Sequence, residues 1–227
     1  MTRVSSINRL PAALALLAVS GPVRAGEPPA AADLLFDTPY LSRLAPGITL
    51  AYDFSHRDSN PALLGPAFDD RIELTLAPDA DDNTRTAVVS YFTGERHRAA
   101  GPFREMTGNP IVMLFLEQDV LAMSHVLRGN PRYLRNRLRT ELNEAAQVEP
   151  QRFRFEGRDI EGWKISLKPY ATDPNRVRFR EFAEKRYEFL VGDAVPGGIY
   201  EIRTVTPRAD GTGPALIEER LSLAGVR

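Results

Sequence analysis

The 227-residue sequence contains no cysteine, three histidines and a single tryptophan. Without cysteine there is no disulfide framework, no thiolate zinc site, no cysteine nucleophile and no acylated-cysteine anchor. Lysine is scarce as well, confined to Lys164, Lys168 and Lys185. A basic excess is also missing, since 29 Lys plus Arg face 30 Asp plus Glu. That balance argues against a nucleic-acid partner. What remains is 43% apolar and 8% aromatic. Such a composition is globular, and the length suits one domain with a core of its own.

The first 25 residues read as an export signal. Arg3 and Arg9 bracket a polar start, Leu10 to Val19 is apolar apart from Pro11, and Val23 and Ala25 are small side chains at −3 and −1. Cleavage is expected after Ala25, which places the protein in the periplasm. The apolar run is roughly half of the ~20 residues that span a bilayer, so residues 26–227 are expected to form one domain without a transmembrane segment. With no cysteine after that run, a lipoprotein anchor is excluded. Removing the signal takes three Arg and no acid, which leaves 26 basic against 30 acidic groups and a net charge of −4.

Residues 26–32 (GEPPAAA) carry no core-forming pattern and read as a flexible leader. From Ile48 the period becomes two: Ile48, Leu50, Tyr52 and Phe54 alternate with polar or small residues. Further strands are expected at 71–77 and 86–93, then at 152–155, 163–168, 184–191, 198–206 and 214–223. Gly157, Gly162, Pro196-Gly197-Gly198 and Asp210-Gly211 supply the turns between the later ones. Between these groups lies a helical pair at about 110–146. Asn109-Pro110 starts one helix to Leu127, where Gly129 suits a left-handed cap, and Asn130-Pro131 starts the other. The expected fold class is α+β, a curved and mostly antiparallel sheet resembling a half-barrel with inserted helices.

Familiar chemistry fails to match. There is no nucleophile elbow, zinc helix, phosphate loop or dinucleotide fingerprint. His56-Arg57-Asp58 copies a kinase loop, but Leu63 stands where a metal-binding Asn is needed. Asp79-x-Asp81-x-Asn83 opens like a calcium loop, yet Thr84 and Ser90 occupy its glycine and glutamate positions, so it reads as a hairpin turn. His56, His97 and His125 lack ligand spacing and read as surface residues. No cofactor or metal is expected.

The helices hold the unusual residues. At about 100° per residue, Asp119 falls among Val112, Phe115, Met123 and Val126 on an apolar stripe. A carboxylate there is costly unless paired. It is either a ligand-contacting or catalytic acid or one half of a structural ion pair. Glu117 lies elsewhere on the wheel. On the second helix Arg137 has Glu141 and Glu144 nearby, whereas Arg132, Arg135 and Arg139 line a flank with no acid at helical spacing. Like charges four apart repel by a few tenths of a kcal/mol, so an anion belongs there: Asp119, Glu117 or a phosphate. Met113, Phe115 and Met123 could line an adaptable apolar pocket.

Gly108-Asn109-Pro110 with Phe115 to Val120 (FLEQDV), Tyr133 to Arg139 (YLRNRLR), Asp173-Pro174, Lys185 to Phe189 and Val195-Pro196-Gly197 resemble a family of exported periplasmic proteobacterial proteins. That family carries no established activity, so the likeness implies no catalytic residue. By architecture alone, the order of strands, inserted helices and strands is similar to the LolA/LolB-like half-barrel carriers, in which a curved sheet encloses an apolar cavity under helices. The missing anchor cysteine departs from the LolB-type pattern.

Together these features point to a non-catalytic periplasmic binding or carrier protein for a lipid or other amphipathic small molecule. Its candidate site residues are Asp119, Arg132, Arg135, Arg139, Glu117, Met113, Phe115 and Met123. Two alternatives are a cell-envelope partner or assembly protein without a small ligand, and a hydrolase using Asp119 or Glu117 as acid/base.

Overall fold

The computed structural model describes residues 27–227; the expected export signal and its expected cleavage position lie outside the described residues. The strands are β1 (Thr49–Asp58), β2 (Phe68–Pro78), β3 (Arg85–Tyr91), β4 (Arg98–Met106), β5 (Gln147–Phe155), β6 (Arg158–Leu167), β7 (Arg186–Val191), β8 (Ile199–Thr206) and β9 (Ile217–Val226). Short helices α1 (Pro61–Leu64) and α4 (Arg176–Phe179) sit in connections, and the long helices α2 (Ile111–Leu127) and α3 (Pro131–Glu144) separate β4 from β5. All nine strands form one sheet in the order β4-β3-β2-β1-β9-β8-β7-β6-β5. Every pairing is antiparallel. β4 and β5 are its two edges, so the sheet curves without closing and the helical pair joins one edge to the other. The fold is the α+β half-barrel that the patterning implies.

Alternation decides which face meets α2. Leu50, Tyr52 and Phe54 of β1 turn inward with Ile72, Leu74 and Leu76 of β2. The outer face is charged and cross-linked, as between Arg220 and Glu201 at 2.6 Å and Arg203 and Glu218 at 2.8 Å. Exposed pairs of this kind add little stability each. They do oppose a one-residue slip, which would turn every charge inward.

Three expectations need correction. β4 goes unseen by periodicity, because Arg98–Met106 is an edge strand of exposed and half-buried residues that buries no alternating set. The left-handed residue ending α2 is Arg128 (φ 51°), not Gly129. The Gly129 N–H donates to Ser124 O at 3.0 Å, and that bond requires the residue before it to turn left-handed. The leader, finally, is not wholly outside the core. Ala31 is buried, and the segment that follows it inserts Leu34, Leu35, Tyr40 and Leu41.

Asn109 ties helix to sheet. Its Oδ1 accepts from Ile111 N–H at 3.1 Å, while its Nδ2 donates to Tyr52 Oη at 3.0 Å and to Gly197 O at 2.8 Å. Asn109→Ala removes the cap and strands a buried carbonyl. A loss of about 2–3 kcal/mol is expected, read by urea unfolding at neutral pH. A loss below ~0.5 kcal/mol would show that the helix start does not depend on this side chain.

Candidate functional site

α2 buries Ile111, Val112, Phe115, Leu116, Asp119, Val120 and Met123, so the acid on its apolar stripe does enter the core. Its partners come from β7 and its approach. Lys185 Nζ donates to Asp119 Oδ1, and Tyr187 Oη donates to Oδ2 at 2.6 Å. Lys185 is only 2% exposed. Burial is the largest influence on Asp119 and, with the charge of Glu219, pushes its carboxyl above the usual carboxylate range, against the pull of Lys185 and Tyr187. Burial and the charge of Asp119 raise the Tyr187 hydroxyl well above the ordinary tyrosine value, so it remains the donor.

Next to this pair the strand register assembles a polar row on the inner face. His56 stands opposite Phe68 on one side and Glu219 on the other, Glu219 opposite Thr204, and Thr204 opposite Tyr187. One step along, Asp58 and Thr206 flank Ile217. His56 Nδ1 lies 3.0 Å from Glu219 Oε1. Burial by itself would raise the Glu219 carboxyl, but the His56 hydrogen bond and the charges of Lys185 and His56 outweigh it and hold it below the usual range. Glu219 is therefore the acceptor and Nδ1–H the donor, and Nε2 is the ring nitrogen left over. That Nε2, both Asp58 carboxylate oxygens and the Thr204 and Thr206 hydroxyls are buried without a hydrogen-bond partner. Clusters of such orphans are rare in folded proteins.

An open cleft of about 540 Å³ reaches this floor, with His56, Asp119 and Glu219 at its base. Phe54, Phe68, Phe92 and Phe115 form its walls. Phe92 meets Phe68 edge-on at 5.4 Å and Phe54 at 5.2 Å, and His56 stacks on Phe68 at 5.5 Å. Two guanidinium groups lie at the mouth, Arg96 over Phe68 at 4.5 Å and Arg98 over Phe92 at 5.3 Å. Neither forms an ion pair among the described residues. A smaller cavity of about 160 Å³ shares His56, Asp119 and Glu219 and adds Met123 and Lys185.

Of the residues singled out from the sequence, the structure brings Asp119, Phe115 and Met123 to these cavities. Met113 is 48% exposed and faces away from the core. Arg135 grips Glu117 through two hydrogen bonds of 2.8 and 2.6 Å, the ion pair that its missing local acid implies. The guanidinium of Arg135 is the first influence on Glu117 and holds its carboxyl below the usual range. Arg132 and Arg139 are exposed, and no arginine of α3 lines either cavity. Arg137 finds the buried Asp173 at 2.9 Å rather than Glu141 or Glu144. Glu117 and Asp119 do not converge, and both Asp119 oxygens are occupied.

Sequence reasoning missed His56, Glu219, Lys185, Tyr187, Arg96 and Arg98. The reading of His56 as a surface residue is corrected, since it is 9% exposed. The alternation that places Phe54 inside places His56 and Asp58 inside as well, so a signal for both was present.

Among the described residues no group of three or more His, Cys, Asp or Glu is placed to hold a metal ion, and no helix is long and apolar enough to cross a membrane. The chain matches no protein-family model and no curated protein sequence. Among solved structures it is similar to the Mycobacterium tuberculosis lipoprotein LppX, at 8% identity over 78% of this chain and 84% of that one, with a TM-score of 0.31. At so low a score the likeness says nothing about what this chain binds.

Proposed function

We propose that this chain is a non-catalytic periplasmic binding or carrier protein for an amphipathic, lipid-like ligand held between α2 and the open end of the sheet. The supporting observation is the 540 Å³ cleft, in which four phenylalanines border directly on buried charge and on two guanidinium groups that form no ion pair among the described residues. That volume lies within the usual range for small-ligand sites, and apolar walls with a few placed polar groups are their usual chemistry. The aromatic wall would take the apolar part of the ligand, and Arg96 and Arg98 an anionic end at the mouth.

The test is native mass spectrometry of protein purified from its own periplasm, joined to titration with a fluorescent fatty acid. A co-purifying amphiphile or saturable binding is expected. Phe68→Ala, at a half-buried wall position, should weaken binding by about tenfold, equivalent to ~1.4 kcal/mol. A clean unliganded mass together with no binding would overturn the proposal.

One observation favours the alternative of an envelope partner protein without a small ligand. Much of the inner face is filled by the chain's own side chains: Leu50, Tyr52, Leu74, Val89, Ile165, Phe189 and Ile202 are all 0% exposed. Under that alternative the cleft binds no amphiphile, so the same titration separates the two.

A further inference from the structure

Resting on the cleft function proposed above, we infer that the floor formed by His56 and Glu219, with the carboxylate of Asp58 buried behind it, seats an ammonium group. The occupant is then an amphiphile with an amine at its inner end and an anion at its outer end.

The charges point that way first. Three carboxylates, Asp58, Asp119 and Glu219, share this end of the inner face with one ammonium, Lys185, which is committed to Asp119. Asp119 and Lys185 cancel, which leaves Glu219 and Asp58 as uncompensated negative charge beside His56. A protonated His56 would reduce that charge without reversing it. The side chain of Asp58 is 0% exposed, and its nearest cationic candidate is His56 Nε2 at 4.0 Å, beyond hydrogen-bond reach. A buried carboxylate without a donor is among the costliest arrangements a core can hold.

The hydrogen-bond inventory points the same way. His56 lines both cavities and its Nε2 has no partner; in the neutral ring with Nδ1–H engaged by Glu219, that nitrogen is an acceptor. Glu219 is a second acceptor at the same place, with 19% of its side chain still exposed. A floor of acceptors with net negative charge suits a group that is all donor and positively charged, which is the description of an ammonium. The mouth has the opposite character: Arg96 and Arg98 outnumber the one acid there, Glu95, outside the ring of phenylalanines. Negative floor, apolar wall and positive mouth form a gradient that matches a molecule with its two charges separated by an apolar spacer.

A pair of probes tests this directly: 12-aminododecanoate and dodecanoate, titrated by calorimetry into the full-length mature protein. They differ only in the ammonium. A purely apolar pocket binds the aminated acid far more weakly. The inference expects it to bind about tenfold more tightly, the scale of one buried charge-assisted hydrogen bond. Glu219→Gln should abolish the advantage, so that the variant binds 12-aminododecanoate no more tightly than dodecanoate. Should that variant fail to fold, the wild-type protein still reports. The 15N resonance of His56 Nε2 should move on titration with 12-aminododecanoate and stay fixed with dodecanoate. Equal or weaker binding of the aminated acid overturns the ammonium inference and leaves the amphiphile carrier standing. If neither acid binds but ethylammonium alone does, the ammonium site stands and the carrier function falls. Binding of none of the three overturns both.

Discussion

Lys185→Met should destabilise the protein by about 3–5 kcal/mol at neutral pH, because it leaves the Asp119 carboxylate buried beside Glu219 with no cation. Lys185 is 2% exposed, so water does not take over its role. The companion variant Lys185→Met/Asp119→Asn should recover most of the loss. The amide carbonyl still accepts from Tyr187, and no net charge remains to be solvated. The pH dependence follows from the direction of the Asp119 shift. Burial already places this carboxyl above its usual range with Lys185 present. In the single variant it rises further. A group whose folded pKa is raised gives its full stability below the unfolded value and loses it as pH rises through the folded one. The deficit of Lys185→Met should therefore shrink as pH falls and be greatest at neutral pH. Urea unfolding at two pH values measures it. A pH-independent loss below ~1 kcal/mol would mean that Asp119 reaches solvent or another cation.

Gly198→Ala is expected to be of similar size, for steric reasons. Gly198 has φ +76°, and a Cβ there would stand 2.2 Å from Tyr40 Cγ, inside the ring of a buried tyrosine. The backbone cannot retreat easily. Gly198 N–H donates to Val195 O at 2.8 Å, and its carbonyl accepts from Gly192 N–H at 2.9 Å. Left-handed strain costs about 1–3 kcal/mol and overpacking adds about 1–3 kcal/mol, so a combined loss of roughly 2–6 kcal/mol is expected by chemical denaturation. Gly198→Ala/Tyr40→Ala separates the two contributions: the clash disappears and the backbone strain persists. Should Gly198→Ala unfold within ~0.5 kcal/mol of wild type, the Tyr40 segment is not pressed against the turn in solution.

These two sites differ in how far the sequence discloses them. Strands with one clean apolar face, such as Thr49–Asp58, announce themselves by alternation, and both long helices by Asn-Pro starts and apolar stripes. Edge strand β4 does not, since it has no buried face to pattern. Asp119 is visible as a charge on the wrong side of a helix, but its partner is not. The nearby arginines of α3 look suitable, yet Leu134, Leu138 and Leu142 take the side of α3 that packs inward, and Arg132 and Arg139 are left in solvent. The true partner, Lys185, is 66 residues away and arrives through strand order. The Pro196-Gly197-Gly198 turn is legible as a turn. That Tyr40 presses on it is a tertiary fact with no local signature.

The sheet order puts β1 beside β9, so the N-terminal and C-terminal meanders meet along a single seam. His56 and Asp58 stand on one side of that seam and Glu219 on the other, while Asp119 sits on the helix between the meanders and Lys185 just before the start of β7. Neither meander alone owns the polar floor. Each can zip up from neighbouring hairpins, but the long-range β1–β9 pairing carries the largest loop-closure cost and is expected to form last. The site is thus a by-product of the final docking event, and a chain unable to complete that seam would keep its hairpins and lose its chemistry.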